Sequence, residues 1–256
     1  MKIALCLSGQ PRFVREVAPY ILQNVCGGYD TDVFMHLWFD QDLQTKPYKY
    51  GGNGDWEHQR IPSTAAEDAL SIYKPKIHKI EPSKKFKDST IKTDYSYYPN
   101  GELVPWSRHW NESNEPDYKS RMVNNWLSCH YSLNQVNILK KEYEYANNFK
   151  YDFVVRCRTD SVVHTKIEYE RYDPDVLHYT SILNQPDGMI ADYINFGGSK
   201  VMDPFMSTFS FIDQIFKKCD EDFGGAWSNE MLHRKTLDHF NIPHQAHPIV
   251  VTLPRF

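Results

Sequence analysis

The feature that most constrains this chain is the run Ile3-Ala4-Leu5-Cys6-Leu7, closed by Ser8-Gly9. Consecutive apolar residues leave no polar face, so a strand built from them is buried on both sides. That predicts an interior parallel strand over 3–7, ending in a tight turn. Phe13, Val14, Val17, Ile21, Leu22 and Val25 then recur at helical spacing, with Pro19 expected to kink or divide the helix.

The alternation continues. Residues 31–39 read as a second strand, and 76–81 alternate apolar and polar like a third. Between them Gly51-Gly52-Asn53-Gly54 marks a loop, and Thr64 with Glu67 has capping-box spacing for a short helix to about Tyr73. Met122, Trp126, Cys129, Leu133, Val136 and Tyr143 define a long helix over 118–147, which runs into a buried strand over 151–160. Further expectations are a short strand over 193–196, a helix opening at Asp203-Pro204 with Phe205, Phe209, Ile212 and Phe216 on one face, a helix capped by Ser228 through about Phe240, and a last strand over 249–253. Strands alternating with helices imply one α/β domain over 1–256, with a Rossmann-like, mostly parallel central sheet and helices on both faces. Residues 83–117 break the pattern. They carry Tyr95, Tyr97, Tyr98, Trp106 and Trp110 among polar residues and read as a long irregular loop that closes over a ligand.

Composition narrows the function. A net charge of -4 argues against a general nucleic-acid binder, though not against one phosphorylated small molecule. Aromatic residues make up 14% of the chain and many fall in polar stretches, as on carbohydrate-binding surfaces and on ordinary loops alike. No apolar run approaches the length of a membrane span. The first run reads as a strand rather than a secretory leader, because Gly9-Gln10-Pro11-Arg12 follows as a turn and no small-residue cleavage site is apparent. The five cysteines are scattered, odd in number and without a CxxC pair, which fits a reduced, soluble, cytoplasmic protein with buried thiols.

In an open α/β sheet, ligands sit beyond the carboxyl ends of the strands. Three segments belong there. Arg156, Arg158 and Asp160 alternate at the end of an apolar strand, so they share a face. Two guanidinium groups beside one carboxylate suit a diphosphate, with Asp160 on a divalent cation or a ribose hydroxyl. An internal Arg–Asp ion pair that ends the strand is the alternative. Ser8, Gly9, Gln10 and Arg12 follow the first strand, where Gly9 allows close approach of a ligand and Arg12 can reach a phosphate. There is no GxGxxG and no GxxxxGK[ST]. Asp192 precedes Tyr193-Ile194-Asn195-Phe196-Gly197-Gly198 and is a candidate general base, or else a turn aspartate flanking an edge strand. Glu230 is a second candidate, although a helix N-terminus favours a carboxylate anyway. His244 and His247 read as surface or packing residues, since no nearby carboxylate or cysteine completes a metal set. Asn111-Glu112-Ser113 matches the glycosylation acceptor pattern by chance.

The opening 3–12, the long helix running into Tyr151-Asp152-Phe153-Val154-Val155-Arg156-Cys157-Arg158-Thr159-Asp160, and Asp192-Tyr193-Ile194-Asn195-Phe196-Gly197-Gly198 occur in an order that resembles glycosyltransferase-A fold enzymes. The resemblance is to a loosely defined group found in polysaccharide clusters and in large DNA viruses. It implies a nucleotide-sugar donor, a glycan or other hydroxyl acceptor, nucleotide binding by the first strand and its turn, and an Asp-x-Asp motif that holds ribose, diphosphate and Mn²⁺ or Mg²⁺. The matching position here reads Arg158-Thr159-Asp160, so only the second acid, Asp160, remains to bind metal. Asp192 corresponds to a catalytic or acceptor-binding acid. Two alternatives stand beside this: a sugar nucleotidyltransferase, which would normally show a Gly-rich basic loop after the first strand, and a non-catalytic carbohydrate-binding protein on a decayed transferase fold.

Overall fold

The structure, a computed structural model, describes residues 1–40, 61–86, 118–181, 189–223 and 228–254. The Gly51–Gly54 loop, the glycosylation-like Asn111 to Ser113 and the greater part of the 83–117 loop lie outside the described residues.

The chain opens with β1 (Lys2–Gly9), α1 (Val14–Asn24), β2 (Asp30–Trp38), α2 (Ala65–Tyr73) and β3 (Ile77–Glu81). The long helix α3 (Tyr118–Ala146) leads into β4 (Phe153–Arg158), followed by β5 (Val162–Val163), β6 (Leu177–Thr180) and β7 (Ile194–Gly197). Then come α4 (Ser199–Met206), α5 (Ile212–Phe223), α6 (Asn229–Phe240), β8 (His244–His247) and β9 (Val251–Thr252). Seven strands form one sheet in the order β3-β2-β1-β4-β7-β6-β8, and β5 pairs with β9 in a separate ribbon. β1 is parallel to β2 and β4, β2 to β3, and β6 to β8, while β7 runs antiparallel to both of its neighbours. The fold is therefore α/β with a mostly parallel mixed sheet.

β1 and β4 are interior, as their unbroken apolar character requires. Their odd-numbered residues, such as Leu5, Leu7, Phe153 and Val155, pack with Val17, Ile21 and Ala69 of α1 and α2. Ala4, Cys6 and Val154 on the opposite face pack with Leu133 and Val136 of α3, Phe205 of α4 and Leu237 of α6. The sheet is thus covered on both sides. α3 is enclosed so fully that His130, Ser132, Asn137, Lys140 and Glu144 are buried along with its apolar stripe.

Four local expectations are corrected. α1 continues through Pro19 rather than dividing there; Pro19 and Arg15 both lie on the exposed side of the helix, where the helical hydrogen bond that a proline removes is least costly. Thr64 does not close a capping box, because its hydroxyl donates to Asp68 at 3.0 Å instead. Asp203-Pro204 lies inside α4 rather than at its start, because Lys140 draws the Asp203 carboxylate inward (2.5 Å) and Gly198 forms the N-cap. Phe209 accordingly falls in a 3₁₀ turn, and the apolar face is shared among three short helical pieces. The last strand is shorter than 249–253 and joins the ribbon rather than the main sheet.

Candidate active site

In the order 3-2-1-4 the chain moves outward from β1 in one direction and then places β4 on its other side. The crevice beyond the carboxyl ends of β1 and β4 is thus a topological switch point, where ligands bind in open α/β sheets. Residues 8–12 leave β1 there and residues 158–160 leave β4, with Ser8 and Arg158 in register. β7 runs back alongside β4, and its entry brings Asp192 to the same end.

Gly9 has φ +121°, a conformation that favours glycine, and a Cβ there would meet nothing within 4 Å. The backbone at that point is open to a ligand. Gln10 folds back on Arg12, its Oε1 accepting from Arg12 Nε at 3.0 Å, and Thr159 donates to the Gln10 carbonyl. The two loops are therefore tied together. Arg12 Nη1 reaches Asp160 Oδ2 at 3.4 Å.

Arg158 is the hub. It grips Asp160 in a two-point contact, Nε to Oδ1 at 2.8 Å and Nη2 to Oδ2 at 3.0 Å. Its Nη1 lies 3.2 and 3.1 Å from the two carboxylate oxygens of Asp192. Burial would push the Asp160 carboxyl up, but Arg158 and Arg12 outweigh it and hold the pKa at about 2. Glu230 follows Ser228, whose hydroxyl caps α6 by accepting from Met231 N at 3.2 Å. Burial, and then the charge of Asp192, raise the Glu230 carboxyl above its ordinary value. The peptide before Asp192 is fastened to this helix end, with Ile190 N donating to the Glu230 carbonyl at 3.3 Å.

The expected residues Ser8, Gly9, Gln10, Arg12, Arg158, Asp160, Asp192 and Glu230 thus converge on one crevice. Arg156 belongs to the group but is placed differently from expectation. It is buried, and its Nη1 donates to the Asp192 carbonyl and to Asn195 Oδ1 (3.3 Å). It supports the site from behind. Both Asp160 oxygens accept from guanidinium N–H groups, so a divalent cation at Asp160 would compete with Arg158 and Arg12 for the carboxylate.

Sequence reasoning gave no role to several neighbours. Asn195 was visible as a polar residue in a strand otherwise apolar. His130 and His233 are fully buried with ring centroids 4.9 Å apart, and neither their ring nitrogens nor Arg156 Nε has a hydrogen-bond partner among the described residues. Their signal was histidine on the inward stripe of a helix. Farther along the sheet, His36 is bracketed by Ser132 Oγ (2.7 Å) and Glu81 Oε2 (2.8 Å), but Ser132 is too enclosed to act as a nucleophile. His244 and His247 lie three apart on β8, so they face opposite sides and cannot share a metal; His247 instead bonds His178 at 2.9 Å. A cavity of about 330 Å³ lined by Lys150, Asp152, Asp175, Ser199 and Asp203 lies at the amino end of β4, opposite the crevice. Lys150 and Asp203 are paired with each other and with buried Glu144 and Lys140, Asp175 pairs with Lys200, and the Asp152 carboxylate accepts from the Lys2 backbone N–H at 2.7 Å.

Fold and site together define a class: an α/β protein with a mostly parallel sheet and an arginine–carboxylate crevice at its switch point. No protein-family model matches the chain, and no curated protein is significantly similar to it in sequence. Among the described residues no helix is long and apolar enough to cross a membrane.

Proposed function

We propose that this chain is a glycosyltransferase of the glycosyltransferase-A kind, transferring a sugar from a nucleoside-diphosphate-sugar to a glycan or other hydroxyl acceptor. The observation that carries this reading is the meeting of Arg12, Arg158, Asp160 and Asp192 beyond the ends of β1 and β4. The open backbone at Gly9 and the turn to Arg12 suit the nucleotide and its phosphates. Asp160 holds the Arg158 and Arg12 guanidinium groups where charge develops on the leaving diphosphate, and pre-placed donors of that kind stabilise a transition state without reorganising. Asp192 takes the proton of the acceptor hydroxyl as the glycosidic bond forms, with Glu230 as the second candidate. In the family the chain resembles, Mn²⁺ or Mg²⁺ assists the leaving group; here Arg158 and Arg12, which engage Asp160, supply the positive charge.

Incubation with a panel of nucleotide-sugars, with free nucleoside diphosphate as the readout, tests the reading. Release of nucleoside diphosphate supports a transferase. Pyrophosphate chemistry would mark a nucleotidyltransferase. Silence across the panel favours the non-catalytic reading, in which the Arg158–Asp160 contact is only an internal ion pair.

A further inference from the structure

Asn195 is fully buried in β7 and is the register partner of Arg156 across the β4–β7 ladder. Side chains of such partners emerge on the same face and meet. Asn195 is used at both ends: Oδ1 accepts from Arg156 Nη1 at 3.3 Å, and Nδ2 donates to the Ala191 carbonyl at 2.9 Å. The same Arg156 nitrogen donates to the Asp192 carbonyl. The next carbonyl, that of Tyr193, accepts from Arg158 N at 3.1 Å and from Ser161 Oγ at 3.3 Å. Three successive carbonyls of a segment that precedes its strand are therefore each held by a separate donor set. A turn aspartate that merely flanks a strand needs none of this. Burying a guanidinium group to hold such a turn is costly where an apolar side chain would fill the space. What the arrangement fixes is the Asp192 carboxylate, set against Arg158 at 3.1 and 3.2 Å.

We propose that Asn195, acting with Arg156, is a positioning residue that sets Asp192 for proton transfer; this rests on the glycosyltransferase reading and names the residues that make its base effective. Misplacing a reacting group by about 1 Å costs on the order of a hundredfold in rate. Asn195→Ala should lower kcat for nucleoside-diphosphate release from the nucleotide-sugar by about that factor, with KM for the donor within about twofold. The decisive comparison is a cycle with Asp192→Asn. If Asn195 works through Asp192, the double variant is no slower than the slower single variant. Should Asn195→Ala fail to fold, Asn195→Ser keeps a short acceptor for Arg156, loses the donor to Ala191 and carries the same expectation. Multiplying losses in the double variant, a wild-type kcat in Asn195→Ala, or an active Asp192→Asn overturns the proposal alone. A wild-type chain that turns over no nucleotide-sugar overturns the functional reading and this proposal with it.

Discussion

Acid should weaken this fold before its carboxylates titrate, through His130 and His233. Both rings are fully buried, and neither finds a hydrogen-bond partner among the described residues. Burial, then Arg156, depress the His130 pKa to about 3, with Asp192 opposing. Burial, then His130 and Arg156, take His233 well below its ordinary value. An unfolded histidine titrates near 6.5. The folded protein therefore refuses protons that the unfolded chain accepts, and stability present above that pH is lost as pH falls through it. At pH 5 the deficit for His130 is about 1.5 pH units times 1.36 kcal/mol, or about 2 kcal/mol, and His233 adds to it in the same direction. Domains of this kind have roughly 5–15 kcal/mol in all, so the loss is large. Asp160 and Glu81, both held at about 2, are lost only below about pH 4, outside that window. The assay is urea unfolding between pH 7.5 and 5.0 for the wild type, His130→Phe, His233→Phe and the double variant. His130→Phe should flatten the pH dependence by about 2 kcal/mol, and the double variant by more, whatever either does to stability at pH 7.5. Parallel pH profiles for the wild type and the double variant, or imidazole signals in NMR that titrate near pH 6.5, would refute the reasoning.

Other changes test the crevice and the far end of the sheet. Asp160→Asn removes the charge that faces Arg158 and Arg12, and urea unfolding should show a loss on the order of 3 kcal/mol; an unchanged midpoint would mean that the contact is not formed in solution. Arg158→Ala should weaken nucleoside-diphosphate binding at least about tenfold by calorimetry, since a charge-assisted bond to phosphate contributes roughly 1.5–3 kcal/mol, and wild-type affinity would move the nucleotide elsewhere. Lys140 is fully buried between Glu144 (2.9 Å) and Asp203 (2.5 Å), so Lys140→Met should cost about 3–5 kcal/mol by leaving two acids short of a partner; a denaturation midpoint like the wild type's would show that Lys150 compensates.

The parts legible in the sequence were those whose burial needs no partner to explain it. Ile3 to Leu7 and Phe153 to Val155 are apolar at every position, and a strand of that kind has to be interior. β6 and β8 were not legible. Leu177-His178-Tyr179-Thr180 and His244-Gln245-Ala246-His247 are short and polar, and become strands only by pairing with each other and with β7. Helix starts failed where tertiary contacts outweighed local signals, as when Lys140 took Asp203 away from a cap position. In the crevice, Arg158 and Asp160 were visible because charges at the end of an apolar strand are costly without a purpose. Asn195 stood out only as a polar residue in an apolar strand; its role was not legible, because it depends on an antiparallel register that places it opposite Arg156.

Local charge is what favours a ligand-binding reading of this crevice over a structural one. An ion pair that only ends a strand needs one cation for one anion. Here, among the described residues, Arg12, Arg156 and Arg158 are gathered beside Asp160 and Asp192, with Glu230 next to them, so three cations are concentrated at one place in a chain whose net charge is -4. The Glu230 carboxyl is pushed up by burial and then by the charge of Asp192. The net negative charge of the chain disfavours a long polyanion such as nucleic acid, whereas a cationic spot at the switch point attracts one small anion at short range, where Coulomb attraction outweighs the distant, screened net charge. On the proposed glycosyltransferase reading, Arg158, bonded to the Asp192 carboxylate at 3.1 Å, would stand between that carboxylate and the leaving diphosphate and shield each from the other's negative charge.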